Sequence, residues 1–150
     1  MTINWFCLAF CDLNTEQLYE IMQLRVNVFI VEQNCPFPDL DGYDTQNSVQ
    51  HIIGYQDGKI IAYARLLPPG VKYDYPSIGR VITHADYRKD GLGHRLMKTA
   101  LNQCQILWPK QKIFLQAQQH LEGFYLKHGF QTCSETYLDD NIPHIDMIRP

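Results

Sequence analysis

The chain has 150 residues, of which 45% are hydrophobic and 19% are charged, and its formal net charge is −3. These values predict one globular domain over residues 1–150, since a chain of this length buries roughly two thirds of its unfolded surface, and they exclude intrinsic disorder. The small negative charge gives no general attraction to nucleic acid, and no apolar run approaches the roughly 18 residues of a membrane span.

The N-terminal third predicts a strand, a helix and an irregular loop. Residues 3–10 are apolar and aromatic enough for a first strand. Thr15 is the predicted N-cap of a helix whose apolar residues recur at helical spacing as far as Phe29. The stretch 34–50 is rich in Pro, Asp, Gly and Asn, which indicates an irregular loop.

The middle of the chain predicts a hairpin, another strand and an amphipathic helix. Two β-rich runs, 49–55 and 59–67, flank the pair Asp57-Gly58, which is a strong hairpin signal because such pairs tolerate positive φ. A strand over 77–83 and a helix over 91–107 follow. The apolar face of that helix is predicted to comprise Leu92, Leu96, Ala100, Leu101, Cys104 and Leu107.

The C-terminal third predicts a strand over 113–117 and a short helix over 119–128 with Gly129 as its C-cap. Two further strands are predicted over 130–137 and 145–148. Together these elements predict a mixed α/β fold whose central sheet is flanked by helices.

The segment 88–93 carries two glycines at the start of the predicted helix. Gly91 and Gly93 allow a tight turn and a close backbone approach to a ligand. The helix start adds unpaired N–H groups and about half a positive charge, which suits a pyrophosphate. An ordinary connection between a strand and a helix is the alternative interpretation, since a short glycine pattern is weak evidence by itself.

Two motifs together carry a resemblance to a known family. Arg88-x-x-Gly91-x-Gly93 after a strand, followed by Tyr125-x-x-x-Gly129-Phe130, resembles the GNAT superfamily of N-acetyltransferases, and the resemblance covers essentially the whole chain. Segments 24–36, 78–82 and 142–145 are similar to the ElaA-like subfamily. The resemblance implies an α/β fold of the GNAT type, with a central mixed β-sheet of six to seven strands flanked by about four helices. It also implies acetyl-CoA as co-substrate and a primary amine of a small molecule or peptide as acceptor.

The resemblance also implies which residues bind the cofactor. N–H groups from Lys89 through Gly93 would hold the pyrophosphate, and the backbone of Val81 and Ile82 would pair with the pantetheine arm. Gln118 stands where many family members carry Asn, so its contact departs from the family pattern. The implied cofactor-binding residues are Val81, Ile82, Arg88, Lys89, Asp90, Gly91, Leu92, Gly93, Gln118 and Tyr125.

Acetyl transfer requires a base and an acid. An alkyl amine with a pKa near ~10.4 is protonated at neutral pH and must lose a proton before it attacks, and the departing thiolate needs one. Tyr125 is the predicted general acid, with a packed core aromatic as the alternative interpretation. Glu32, His51, His120 and His144 are the base candidates, and for Glu32 an ion pair with Arg25 is an equal alternative.

Three arginines, Arg25, Arg65 and Arg80, lie in predicted helix or strand interiors and therefore need an anionic partner. Their surroundings also resemble acyl-homoserine lactone synthases, relatives of the same fold. Pairing with Glu32, Asp41 or Asp44 is the structural alternative to ligand binding. The predicted substrate-binding residues are Arg25, Glu32, His51, Arg65, Arg80 and His144.

The remaining expectations concern metals, location and assembly. Five cysteines without a Cys-x-x-Cys pair, and no His pair at ligand spacing, predict reduced thiols and no metal. The first residues lack a signal-peptide pattern, so we expect a cytoplasmic protein with no membrane or nucleic-acid partner. The oligomeric state stays open, a homodimer included. A longer acyl donor and a non-catalytic CoA-binding module are the alternative functions.

Overall fold

The computed structural model describes residues 2–150 and contains one mixed sheet of eight strands. The strands are β1 (Asn4–Ala9), β2 (Gln50–Gln56), β3 (Lys59–Leu67), β4 (Ser77–Thr83), β5 (Ile113–Gln118), β6 (Gln131–Thr132), β7 (Tyr137–Asp139) and β8 (Ile142–Arg149). Their order in the sheet is β1-β2-β3-β4-β5-β8-β6, and β7 pairs with β8. The predicted mixed α/β architecture is confirmed, with one strand more than the upper end of the predicted number.

The extra strand comes from the C-terminal region. The predicted strand 130–137 is wrong, because within that stretch only β6 and the first residue of β7 pair with β8, and the chain leaves the ladder between them. Ser134 lies in this gap, and its hydroxyl accepts a hydrogen bond from the backbone N–H of Asp146 at 2.8 Å. A side chain thus substitutes for a ladder bond.

Three α-helices, α1 (Thr15–Arg25), α2 (Leu92–Leu107) and α3 (Glu122–Leu126), accompany the sheet. Three short 3₁₀ turns cover Phe10–Asp12, Ala85–Tyr87 and Gln119–Leu121. The predicted N-cap Thr15 is wrong by one residue. Asn14 caps α1, because its side chain accepts from the N–H of Gln17 at 2.7 Å while the Gln17 side chain accepts from the N–H of Asn14 at 2.9 Å.

The first helix changes type before it ends. A π-helix, Val26–Glu32, follows α1 directly, so the predicted helix extends three residues beyond Phe29. In a π-helix each N–H donates to the carbonyl five residues earlier, which widens the turn and shifts the direction of each following side chain. Glu32 therefore does not lie on the α-helical face that its spacing from Arg25 predicts.

The hairpin and the two sides of the core follow the sequence pattern. Asp57 and Gly58 both have positive φ, 52° and 75°, in the turn between β2 and β3, which confirms the predicted hairpin. The helix α2 buries five residues against one face of the sheet: Leu92, Leu96, Met97, Ala100 and Cys104. Leu107, predicted in that face, is 38% exposed. The other face packs against α1.

Within residues 2–150 no helix reaches the combination of length and apolarity needed to cross a lipid bilayer.

Candidate active site

A cleft separates the two middle strands of the sheet. The parallel strands β4 and β5 share one register pair, Ser77 with Phe114, and diverge beyond it. The space between them has a volume of about 440 Å³. Because a strand beyond the last ladder bond keeps unpaired N–H and C=O groups, the stretch of β4 after Ser77 can pair with an extended ligand.

The cleft brings together predicted site residues from five parts of the chain. Those that line it are Glu32, Arg65, Arg80, Val81, Ile82, Arg88, Gln118, His120, Tyr125 and His144. Arg25 and His51 lie behind its wall, 0% and 1% exposed. Sequence reasoning missed Phe37 and Tyr73, which also line the cleft, because nothing in a loop of irregular backbone reveals where an aromatic side chain points.

A β-bulge interrupts β4 where it borders the cleft. The register with β3 steps from Gly79 opposite Arg65 to Ile82 opposite Tyr63, so Arg80 and Val81 together oppose one residue, Ala64. Arg80 has φ 50°, in the left-handed region. A bulge takes one residue out of the ladder and re-aims its neighbours.

The loop before α2 leaves several backbone donors free. The N–H of Lys89 donates to Tyr87 O at 2.7 Å, and the N–H of Leu92 donates to Lys89 O at 3.2 Å. Asp90, Gly91 and Gly93 donate no backbone hydrogen bond to any residue within 2–150. The set of donors that can meet a pyrophosphate therefore narrows from the five predicted to these three.

Glycine is needed at the two loop positions for different physical reasons. Gly91 is the N-cap of α2 with φ 70°, and no atom lies within 4 Å of the place a Cβ would take. A Cβ on Gly93 would stand 3.3 Å from the ring of Phe124. Gly91 thus serves the turn, whereas Gly93 serves the packing of α2 against α3.

Tyr125 projects from α3 into the cleft. It is 6% exposed, and burial raises its pKa. Its hydroxyl forms no hydrogen bond with any residue in the described part of the chain, 2–150, whereas the buried hydroxyl of Tyr63 bonds to His51 at 2.6 Å. A protonated, unpaired hydroxyl on the cleft wall can donate a proton to a bound group.

Gln118 and Glu32 are already engaged by protein partners. The Gln118 amide donates to Gln33 Oε1 at 3.2 Å, across the cleft from the end of β5 to the chain after the π-helix. Arg88 donates to the Glu32 carboxylate at 2.7 Å and to Thr83 O at 3.1 Å. The alternative of an ion pair between Glu32 and Arg25 is wrong, because the π-helix turns Glu32 toward Arg88.

The two histidines proposed for the substrate side have fixed rings. His51 Nε2 lies 3.0 Å from Asp44 O, a carbonyl that can only accept, so the hydrogen is on Nε2 and the Tyr63 hydroxyl donates to Nδ1. Burial lowers the pKa of His51, which keeps it neutral. His144 Nδ1 donates to Ile142 O at 2.7 Å, which leaves Nε2 as the acceptor nitrogen.

The three arginines form a closed ring with three aspartates, here called the arginine–aspartate cluster. Every arginine contacts two aspartates and every aspartate contacts two arginines, with N···O distances from 2.6 to 3.2 Å. Around the ring the order is Arg25, Asp44, Arg65, Asp41, Arg80 and Asp39. The structural alternative for the arginines is therefore formed, with partners in the loop and none of them Glu32.

The cluster favours the ionised form of two of its carboxylates, those of Asp41 and Asp44. Burial by itself raises the pKa of Asp41, but hydrogen bonds and charge from Arg65, with the charge of Arg80, lower it to about 2. For Asp44 burial has the same opposing effect, and Arg25 and Arg65 lower its pKa. The loop 39–44 is thereby tied to α1, β3 and β4 at once.

No group of three or more His, Cys, Asp or Glu side chains suited to a metal ion occurs within residues 2–150.

Comparison with known proteins gives close relatives along the whole chain. The family described as acetyltransferase (GNAT) domain matches residues 19–149. Protein ElaA of Escherichia coli (strain K12) is 42% identical over 147 residues, which cover 98% of this chain and 96% of that protein. Its crystal structure has a TM-score of 0.93 to this chain, with 40% identity over 99% of this chain and 100% of that one.

Two further solved structures are similar to this chain. An acyl-CoA N-acyltransferase from Pseudomonas aeruginosa has a TM-score of 0.95 and 41% identity, over 99% of this chain and 100% of that one. A CoA-dependent acyl-homoserine lactone synthase with SAM and isopentyl-CoA has a TM-score of 0.77 at 15% identity, over 98% of this chain and 82% of that one. At that identity the likeness concerns the fold alone.

Proposed function

This chain belongs to the GNAT acetyltransferase family, and on that premise we propose that it transfers an acetyl group from acetyl-CoA to a primary amine of a small molecule or peptide. The observation that carries the proposal is the cleft between β4 and β5. Its two walls supply free backbone groups, an unpaired hydroxyl and a histidine with a free nitrogen.

The residues present fit the donor. The N-terminus of α2 has neither a side-chain cap nor an acidic residue in its first turn, so its dipole and the free N–H groups of Asp90, Gly91 and Gly93 suit a pyrophosphate. The diverging edge of β4 at Val81 and Ile82 suits an extended amide-containing arm. Acetyl-CoA supplies the activated acyl group as a thioester.

We assign the general acid to Tyr125. Its hydroxyl stays protonated at neutral pH because burial raises its pKa. The same burial raises the basicity of a thiolate formed beside it, so the proton transfer from oxygen to sulfur stays within reach. Tyr125 would protonate the departing sulfur as the carbon–sulfur bond breaks, and the second proton of the attacking nitrogen would return to the Tyr125 oxygen through solvent.

We assign the general base to His144. His51 does not reach the cleft, and the Glu32 carboxylate is occupied by Arg88. His144 lies opposite Gln118 in the ladder between β8 and β5, and its Nε2 is free to accept a proton. It would take the proton of the acceptor ammonium, directly or through a water, so that nitrogen attacks the acetyl carbonyl carbon and forms the amide bond.

The base assignment predicts a clear difference between two histidines. We expect His144→Gln to lower turnover by about 10²-fold or more. His120 lines the same cleft, and His120→Gln is the matched variant. Steady-state rates at saturating acetyl-CoA would compare the two, and an equal fall in both would remove His144 from the role.

A longer acyl donor is the second candidate. The fold is shared with the lactone synthase that was solved with isopentyl-CoA. Product mass measured with acetyl-, butyryl- and isopentyl-CoA in parallel separates the candidates, because the preferred donor gives the highest rate.

The donor site is tested by thermal unfolding with and without acetyl-CoA. Ligand at a hundred times its Kd stabilises the native state by about 2.7 kcal/mol. We expect Gly91→Asp, which places a carboxylate where the pyrophosphate would lie, to abolish this shift. Gly58→Asp is the matched control, since Gly58 also has positive φ, 75°, and open space around it but lies in the β2–β3 turn.

A wild type that acetyl-CoA does not stabilise at millimolar concentration would overturn the proposal. Equal shifts in wild type and Gly91→Asp would show that the pyrophosphate does not bind at the α2 loop.

A further inference from the structure

Arg80 has an unusual backbone. Of the non-glycine residues with positive φ in the described residues 2–150, Arg80 is the one inside a strand, whereas the others lie in turns and loops. The left-handed backbone conformation is unfavourable for a residue with a long side chain, because its Cβ crowds the following carbonyl. Such strain persists when the surroundings hold it in place, and it concentrates at functional sites.

The side chain of Arg80 is held by contacts with the loop that contains Phe37, Asp39 and Asp41. Its Nε lies 2.9 Å from Asp39 Oδ1, and its Nη2 donates to Asp39 O at 3.0 Å and to Asp41 Oδ2 at 3.2 Å. The ring of Phe37 stacks 5.5 Å from the guanidinium carbon. The Arg80 side chain is 20% exposed, so most of it lies out of solvent.

The strained residue lies where the cleft is lined by backbone. Arg80 and Val81 form the bulge in β4, and both border the cleft. The direction of the N–H and C=O groups on this stretch therefore depends on the left-handed conformation of one residue.

We propose that Arg80 is a positioning residue: its ion pairs with Asp39 and Asp41 hold the left-handed backbone that shapes the β4 bulge, and the bulge sets the backbone groups that meet the acyl end of the donor. This inference rests on the proposed function for its ligand. It assigns the guanidinium to backbone geometry and takes it out of acceptor binding.

Two substitutions at position 80 separate the backbone from the side chain. Arg80→Ala and Arg80→Gly remove the same guanidinium and leave the same aspartates without it. Only glycine adopts positive φ without strain. If the side chain serves the backbone, glycine restores what alanine loses; if the side chain binds a ligand, both variants fail alike.

The first measurement needs no ligand. Hydrogen–deuterium exchange of the peptide that covers β4 compares the two variants with the wild type. We expect Arg80→Ala to change exchange across residues 79–82 and Arg80→Gly to keep the wild-type pattern there. Identical patterns in both variants would overturn the inference, whatever the protein binds.

The second measurement uses acetyl-CoA as the probe, by isothermal titration. We expect Arg80→Ala to weaken binding about tenfold, which is the scale of the strain at one residue. Arg80→Gly is expected to recover binding to within about threefold of wild type. Equal weakening in both would overturn the inference, whereas no binding by the wild type would instead overturn the proposed function.

Two aspartates of the cluster provide the matched control. Asp41 and Asp44 each bridge two arginines, but only Asp41 contacts Arg80. We expect Asp41→Asn to change exchange at the bulge and Asp44→Asn to change it far less. The reverse order would show that the bulge responds to stability of the cluster in general and would overturn the inference.

Discussion

The two regions that border the cleft treat their polar groups in opposite ways. In the arginine–aspartate cluster every charged side chain has two partners of opposite charge. Around α2 and α3 the N–H groups of Asp90, Gly91 and Gly93 and the Tyr125 hydroxyl have no hydrogen-bond partner within residues 2–150. Buried polar groups normally find partners, so the paired cluster belongs to the scaffold, whereas the free loop N–H groups and the Tyr125 hydroxyl are available to a ligand.

This contrast predicts opposite outcomes for stability and activity. Removing a group from the unpaired region should cost turnover and leave the fold intact. Removing a group from the arginine–aspartate cluster should mainly lower the free energy of unfolding.

We expect Tyr125→Phe to lower turnover by about 10²- to 10⁴-fold, because it removes the proton donor. Its free energy of unfolding should stay within about 0.5 kcal/mol of wild type, since the hydroxyl has no partner to lose. Rates in a chemistry-limited assay and denaturant unfolding measure the two quantities.

Tyr73→Phe is the control for Tyr125→Phe, because Tyr73 also lines the cleft. An unchanged turnover in Tyr125→Phe, or an equal loss in both variants, would contradict the assignment of the acid.

We expect Arg25→Ala to destabilise the fold by about 3–5 kcal/mol, because two buried carboxylates, Asp39 and Asp44, lose a shared partner. Arg88→Ala breaks an ion pair of which both members are 39% exposed, and should cost no more than about 1 kcal/mol. Urea unfolding of the two variants measures the difference. Similar losses would show that the cluster is no more structural than a surface pair.

The smallest predicted effect is on the free energy of unfolding at acidic pH. The pKa of Asp41 is lowered from 3.8 to about 2 in the folded state. Its ionised form therefore stabilises the fold fully above about pH 4, and this contribution, about 2 kcal/mol, is lost as the pH falls from about 4 to about 2. Asp41→Asn removes the titrating group, so its unfolding free energy should fall less steeply over that range.

Unfolding free energies at pH 4 and pH 2 test the acid prediction, with Asp57→Asn as the control in an exposed turn. Parallel slopes for wild type and Asp41→Asn would contradict it.

The sequence predicts the parts of this molecule that depend on local rules. The Asp57-Gly58 hairpin, strands β3 and β4 and the start of α2 follow from turn chemistry and periodicity. Gly91 marks the candidate cofactor site for the same reason, since its positive φ is a local requirement, whereas Gly93 is required by a tertiary contact with Phe124.

The rest depends on contacts between distant segments. Residues 39–44 look like an acidic loop, and only the fold brings their carboxylates to arginines on α1, β3 and β4. The left-handed Arg80 and the π-helix run against local preference, so periodicity predicts an ordinary strand and an ordinary helix there. Tertiary contacts decide at those positions.

The single register pair between β4 and β5 has a mechanical consequence. Since only Ser77 and Phe114 are in register between these strands within residues 2–150, we expect the angle between the halves β1–β4 and β5–β8 to change more easily than the angle between strands with longer ladders. An extended molecule that pairs along the edge of β4 would restrain the junction between β4 and β5 in the way an added strand does. A ligand bound in the cleft should therefore make the whole sheet more rigid. Hydrogen exchange of backbone amides far from the ligand should become slower.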